Sequence, residues 1–274
     1  MDVNNLIQLH LCQPTNFSIF PQLASIVSKR EWDILEKVGI TPSNYTTYDI
    51  LEINSLNKNS FPLNELLIVG IPEKLIQPDN TFYSYKDVTQ VPKDSIECLK
   101  EALKVLESIE GLYPTILILV KNLHILRSES DEIDVSYSLP NIPFSIFVSV
   151  PAERLPNDHI RVAEGILHES MHLQLSLIEK IRLLVKNKSD DYFSPWKNEY
   201  RSIQGVLHAV YVFRIVQHFL QTLSSLEENH QHYDFYIKRI QQIESEIGLF
   251  KNMDQLNSLT LSGNQLLQML IKDS

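Results

Sequence analysis

Along the chain, helical periodicity gives way to extended patterning and then returns. Apolar positions from Phe17 to Val38 recur at helical spacing, with Pro21 near the start. Between Pro42 and Asn80 the pattern is broken by Pro, Asn and Ser, and "NELLIVGIP" within it reads as a short strand or as a helix end. "KDSIECLKEALKVLESIEGL", Lys93 to Leu112, is an amphipathic helix that Asp94 or Ser95 can cap and Gly111 can end. Three apolar stretches follow, "YPTILILVKNLHILRS", "DEIDVSYSLP" and "FSIFVSVP". Each is bounded by turn residues or Pro, and together they predict two or three strands between Thr115 and Val150. After Pro156 the pattern predicts helices at about Asp158 to Lys186, Tyr200 to Leu226, His230 to Gly248 and Met253 to Ile271. Asn157 or Asp158 suits the cap of the first.

Composition narrows the classes. The 274 residues suffice for one large domain, or for a catalytic domain with a smaller companion. With 43% hydrophobic and 21% charged residues, a packed globular chain is expected. A net charge of −10 argues against nucleic acid as a partner, because phosphate binding needs a basic face; it leaves a basic peptide open. The start, "MDVNNLIQLHLCQP", lacks the basic region of a secretory signal. The best membrane candidate, "TILILVKNLHIL", is interrupted by Lys121 and His124. Cys12 and Cys98 lie far apart and read as reduced thiols, so a cytoplasmic location without membrane partners is expected. Seven glycines leave no phosphate-cradling loop.

The chemistry-bearing pattern is "EGILHESMHLQL", which contains His-Glu-x-x-His at His168, Glu169 and His172. Residues four apart share a helix face, so both imidazoles can point at one metal ion. Glu169 sits about 100° around the helix, within reach of a metal-bound water or of a neighbouring group. Glu164 and Glu179 are on the right side but axially far, which suits them as hydrogen-bond acceptors behind the ligands. A ligand from a packed neighbouring helix is more plausible, and "YRSIQGVLHAVYVFRIV" offers His208; a satisfied core histidine is the bland alternative there. Gly165 and Gly205 each precede a histidine by three residues, where a missing side chain permits close helix approach or a small ligand. His230 and His232 read as a solvated surface, while His10, His124, His159 and His218 have no partners in sequence.

"GILHESMHLQLSLI" followed by "YFSPWKNEYRSIQGVLHAVYVFRIV" resembles the HExxH-motif peptide-modification family of bacterial natural-product gene clusters. The shared features are the metal helix, Pro195-Trp196, Arg201, Gly205-Val206-Leu207-His208 and Tyr211-Val212-Phe213, over about Ile166 to Val216. The family often has Arg-Pro where this chain has Arg201-Ser202. The resemblance implies Fe(II)- and 2-oxoglutarate-dependent β-hydroxylation of a ribosomally made precursor peptide, with His168, His172 and His208 as ligands. Such an oxygenase needs open metal positions and a cation for the far carboxylate of the cosubstrate, a task suited to the arginine fork. Arg201, seven residues before His208, is the first candidate; Arg161, in the same relation to His168, and Arg214, six after His208, are the others. Trp196 and Tyr211 are candidates for lining the pocket, with core packing as the alternative.

The expected architecture is α+β: a small mixed sheet followed by a mainly helical metal-binding region with a zincin-like HExxH helix. Residues 1–90 are expected to form a mainly helical N-terminal region packed on the core, and 91–274 the catalytic domain. "FSIFVSVP" is the candidate edge strand, beside which an extended peptide can pair. Two rival functions share the motif. One is a zinc peptidase with Glu169 as general base; the other is a peptide-binding protein whose metal is structural or lost.

Overall fold

The structure, a computed structural model, describes residues 2–45, 47, 60–63, 65–75, 85–127, 135–187, 191–226, 231–251 and 256–272. In chain order its main elements are α1 (Val3–Cys12), α2 (Phe20–Leu35), β1 (Ser60–Leu63), β2 (Leu66–Val69), α3 (Lys93–Glu107), α4 (Leu112–Leu119), β3 (Asn122–Arg127), β4 (Ser136–Ser138), β5 (Ser145–Val150), α5 (Asp158–Glu179), β6 (Asp191–Ser194), β7 (Glu199–Ser202), α6 (Ile203–Ser225), α7 (Tyr233–Gly248) and α8 (Leu261–Lys272). The class is mixed α+β, mainly helical with a small mixed sheet. No helix of the described residues is long and apolar enough to cross a membrane.

The chain forms two compact units, Ala24–Leu173, and Met1–Leu23 together with Gln174–Ser274. The unit boundaries fall between Leu23 and Ala24 and between Leu173 and Gln174. Helices α2 and α5 each run across a boundary.

The first unit is built on a sheet of order β1-β2-β3-β5-β4. Its two central pairings, β2 with β3 and β3 with β5, are parallel, and the outer pairings are antiparallel. Strand β5 is buried at every position and β3 at all but Arg127, so neither shows the in-and-out alternation of a half-exposed strand, and Asn122, His124, Ser145 and Ser149 are buried among the apolar residues. "FSIFVSVP", expected at the edge, is thus an inner strand; among the described residues the edge beside it is β4. On one face, Gly165 of α5 lies so close to β5 that a Cβ there would sit 3.2 Å from Val148 Cγ1. On the opposite face, His124, Phe147 and Tyr137 form a continuous ring stack, with centroid spacings of 4.4 and 4.5 Å. His124 is fully buried there. Its Nδ1 lies 2.9 Å from the Val69 carbonyl and its Nε2 2.8 Å from the Thr47 hydroxyl.

The apolar run before β3 is a helix rather than a strand. Gly111, with φ 86°, turns the chain by adopting a left-handed conformation, and α4 starts at the next residue. Pro114 falls in the first turn, where its missing N–H costs nothing, and Thr115 bonds back to the Gly111 carbonyl at 2.6 Å. A short apolar run fits a buried helix as well as a strand, and only packing decides. Gly111 therefore opens α4 and does not close α3. The residue before α3 is Pro92, with no side-chain cap, while Ser95 bonds to the Pro151 carbonyl.

In the second unit, α6 packs against α7 and α8, and α8 against α1. The β6–β7 hairpin occupies the stretch before α6, which starts at Ile203 rather than Tyr200. Ser202 caps α6 by accepting from the Gly205 N–H at 3.3 Å, so the residue that departs from the Arg-Pro pattern serves as the N-cap. The predicted starts of the last two helices, His230 and Met253, lie outside the described residues. The described helices begin at Tyr233 and Leu261.

Candidate metal centre on the HExxH helix

Helix α5 is buried on most sides. Arg161, Glu164, Gly165, His168, His172, Ser176 and Glu179 form its half-buried stripe, at helical spacing of three and four residues. The two histidines of the motif thus lie on the half-buried face of a helix that, beyond its first turn, is otherwise buried. Their Nε2 atoms converge to 3.2 Å, with the rings at 67°. Two imidazole nitrogens bound to one metal at ~2.0–2.2 Å would stand roughly 3 Å apart, so the pair fits a shared ion. Among the described residues, no group of three or more His, Cys, Asp or Glu side chains that could hold a metal ion is gathered.

Glu169 leaves this stripe and turns toward the sheet. It is only 2% exposed. Its Oε1 accepts from the Ser136 hydroxyl at 2.7 Å and its Oε2 from the Ser138 hydroxyl at 2.9 Å. Oε1 is 3.9 Å from His168 Nε2, near enough for charge to be felt but beyond a hydrogen bond. Both serines belong to edge strand β4. They escaped the sequence reading, although "VSYSLP" carries the signal: residues two apart on a strand share a face.

The remaining candidates lie as follows. His208 Nε2 is 3.0 Å from Glu179 Oε2, and Gln204 donates to the same oxygen at 2.7 Å. Glu179 therefore acts as an acceptor, and its partner is His208. Arg201, on β7, pairs with Glu199 at 3.3 Å, with side chains 46% and 57% exposed. Arg214 is buried; it donates to the Leu270 carbonyl at 2.7 Å and also bonds Gln217 and Glu244, tying α6 to α7 and α8. Arg161 stands on the histidine stripe of α5 and pairs with Asp158 at 3.3 Å. Trp196 stacks on Phe213 and Phe250, and Tyr211 is fully buried.

The Tyr211 hydroxyl is bonded by Gln174 at 2.9 Å and lies 3.0 Å from His10 Nε2. Burial pushes the Tyr211 hydroxyl well above the usual phenol range and His10 down to about 3, so both are neutral packing groups. Sequence reasoning had no means of finding this pair, whose members are 201 positions apart. Gly165 marks a close approach of α5 to a strand. At Gly205 a Cβ would meet only ordinary contacts at 3.7 Å, so space does not demand glycine there.

In comparison with known proteins, no family model and no curated protein matches the chain.

Proposed function

We propose that this protein is an Fe(II)- and 2-oxoglutarate-dependent oxygenase that hydroxylates the β-carbon of a residue in a ribosomally made peptide. The observation that carries the choice over hydrolysis is the orientation of Glu169. A peptidase of this motif needs that carboxylate as the base toward a metal-bound water. Here both its oxygens are taken up by Ser136 and Ser138, and the side chain is buried against the sheet. That favours a carboxylate fixed as a hydrogen-bond acceptor over a base aimed at a metal-bound water.

His168 and His172 hold the metal in this reading, and the resemblance supplies His208 as the third ligand. Iron, once bound, supplies with oxygen and 2-oxoglutarate the oxidising power that C–H hydroxylation requires. The cation for the distal carboxylate of 2-oxoglutarate moves from Arg201, which is paired on an exposed hairpin, to Arg161. Arg161 lies two turns before His168 on one stripe, about 10 Å along the axis. Arg214 is committed to its own buried contacts.

A peptide substrate is supported by β4. The Ser149 N–H donates to the Val135 carbonyl, and Ser136 and Ser138 pair with Val148 and Ile146. By antiparallel alternation, the main-chain groups of Ser136 and Ser138 point away from β5, toward the outer edge of the sheet. An extended backbone can bond there.

The test is protein loaded with Fe(II) without oxygen, then given oxygen, 2-oxoglutarate and a panel of candidate substrate peptides. Succinate release coupled to a gain of one oxygen by an uncleaved peptide is expected, and Glu169→Gln should retain measurable turnover. Cleavage that needs no 2-oxoglutarate and is lost in Glu169→Gln would establish the zinc peptidase instead. Metal bound with no open position and no turnover would establish the binding protein.

A further inference from the structure

We infer that Ser136 and Ser138 are positioning residues that keep the Glu169 carboxylate out of the ligand set of a divalent metal held by His168 and His172. The inference rests on the metal reading above and adds a way in which the open positions are kept open. A carboxylate is a good ligand for such ions, and the motif places one beside the pair on the same helix. Without a restraint, its natural partner would be the ion. The structure holds it elsewhere. Oε1 and Oε2 each accept from one serine hydroxyl, at 2.7 and 2.9 Å, while Oε1 stands 3.9 Å from His168 Nε2.

The restraint is built into the strand. Tyr137, between the serines, points to the opposite face and stacks on Phe147 at 4.5 Å and 11°, which fixes both serines toward α5. Val148, paired with Ser136 across the sheet, is the residue Gly165 approaches, so the same close packing brings Glu169 to the hydroxyls. A buried carboxylate needs donors. With the hydroxyls present it finds them on the strand. With them gone, the nearest cation would attract it, and it would fill a position that a chelating cosubstrate requires.

The experiment is an oxygen-free Co(II) titration read by visible absorption, with azide as a probe of open positions. Wild type is compared with Ser136→Ala/Ser138→Ala, Ser136→Thr/Ser138→Thr and the triple variant Ser136→Ala/Ser138→Ala/Glu169→Gln. The alanine pair is expected to bind Co(II) about tenfold more tightly, the scale of effects behind first ligands. Its bands should shift and its response to azide should disappear. The threonine pair keeps the hydroxyls and should match wild type, and the triple variant should return to the wild-type spectrum. Unchanged bands and affinity in the alanine pair, or a change that persists in the triple variant, overturn the inference and leave the metal reading standing. A wild type whose Co(II) binding is absent, or is indifferent to His168→Ala/His172→Ala, overturns both.

Discussion

Gly165 ties the seating of the HExxH helix α5 to the sheet, and its removal tests that link quantitatively. An alanine Cβ at this position would lie 3.2 Å from Val148 Cγ1, inside the ~3.5–4.0 Å optimum for two carbons. Glycine in a helix interior costs about 0.8–1 kcal/mol relative to alanine, so at an open site Gly165→Ala would stabilise by that amount. Against Val148 the contact should cancel the gain, because α5 must move off β5 by a few tenths of an ångström. In a Val148→Ala background the obstacle is gone and the gain should reappear. The expected coupling in a double-mutant cycle is therefore about 0.5–1 kcal/mol. Gly165→Leu, which adds four carbons at the same contact, should destabilise by about 1–3 kcal/mol. Urea unfolding of the four members of the cycle measures the coupling directly. The displacement has a second reading: Glu169 lies one turn on, and its 2.7 and 2.9 Å bonds to the serines leave little slack. Gly165→Leu should accordingly alter the Co(II) spectrum. If Gly165→Ala stabilises equally with and without Val148, α5 is not held against β5 as described.

If the proposed oxygenase reading holds, Arg161→Ala should raise the 2-oxoglutarate concentration needed for half-maximal turnover while metal affinity is kept, measured by succinate release; a larger effect from Arg201→Ala would return the role to the hairpin. Stability should fall on mild acidification, since burial lowers His10 to about 3 and His124 to about 4, against an ordinary value of 6.5. Both folded pKa values are depressed, so the unfolded chain binds the extra protons, and stability is lost as pH falls through 6.5 toward the folded values. From pH 6.5 to pH 5 the loss should be about 2 kcal/mol per histidine. Urea midpoints across that range measure it, and a slope unchanged in both His124→Gln and His10→Gln would refute it.

Local rules determined much of this protein from its sequence. Four-residue spacing places His168 and His172 on one helix face whatever surrounds them, because 3.6 residues per turn is a property of the backbone. The same periodicity made α3 and the helices after Pro156 readable, and with the β-branched run before it gave the α+β class. Other features depended on partners distant in sequence. The apolar run at α4 carries no alternation, so tertiary packing alone made it a helix. Which strand is the edge depends on the order of pairing, not on the strand's own residues, and β5 was drawn inside by β4. Arg201 and Arg214 look alike as arginines near a motif, yet one lies exposed beside Glu199 and the other is sealed among three helices. Glu169 shows the division most clearly. Its place on the helix follows from the motif, but its direction is set by two serine hydroxyls more than thirty residues earlier, brought to it by the close approach of a glycine to a strand.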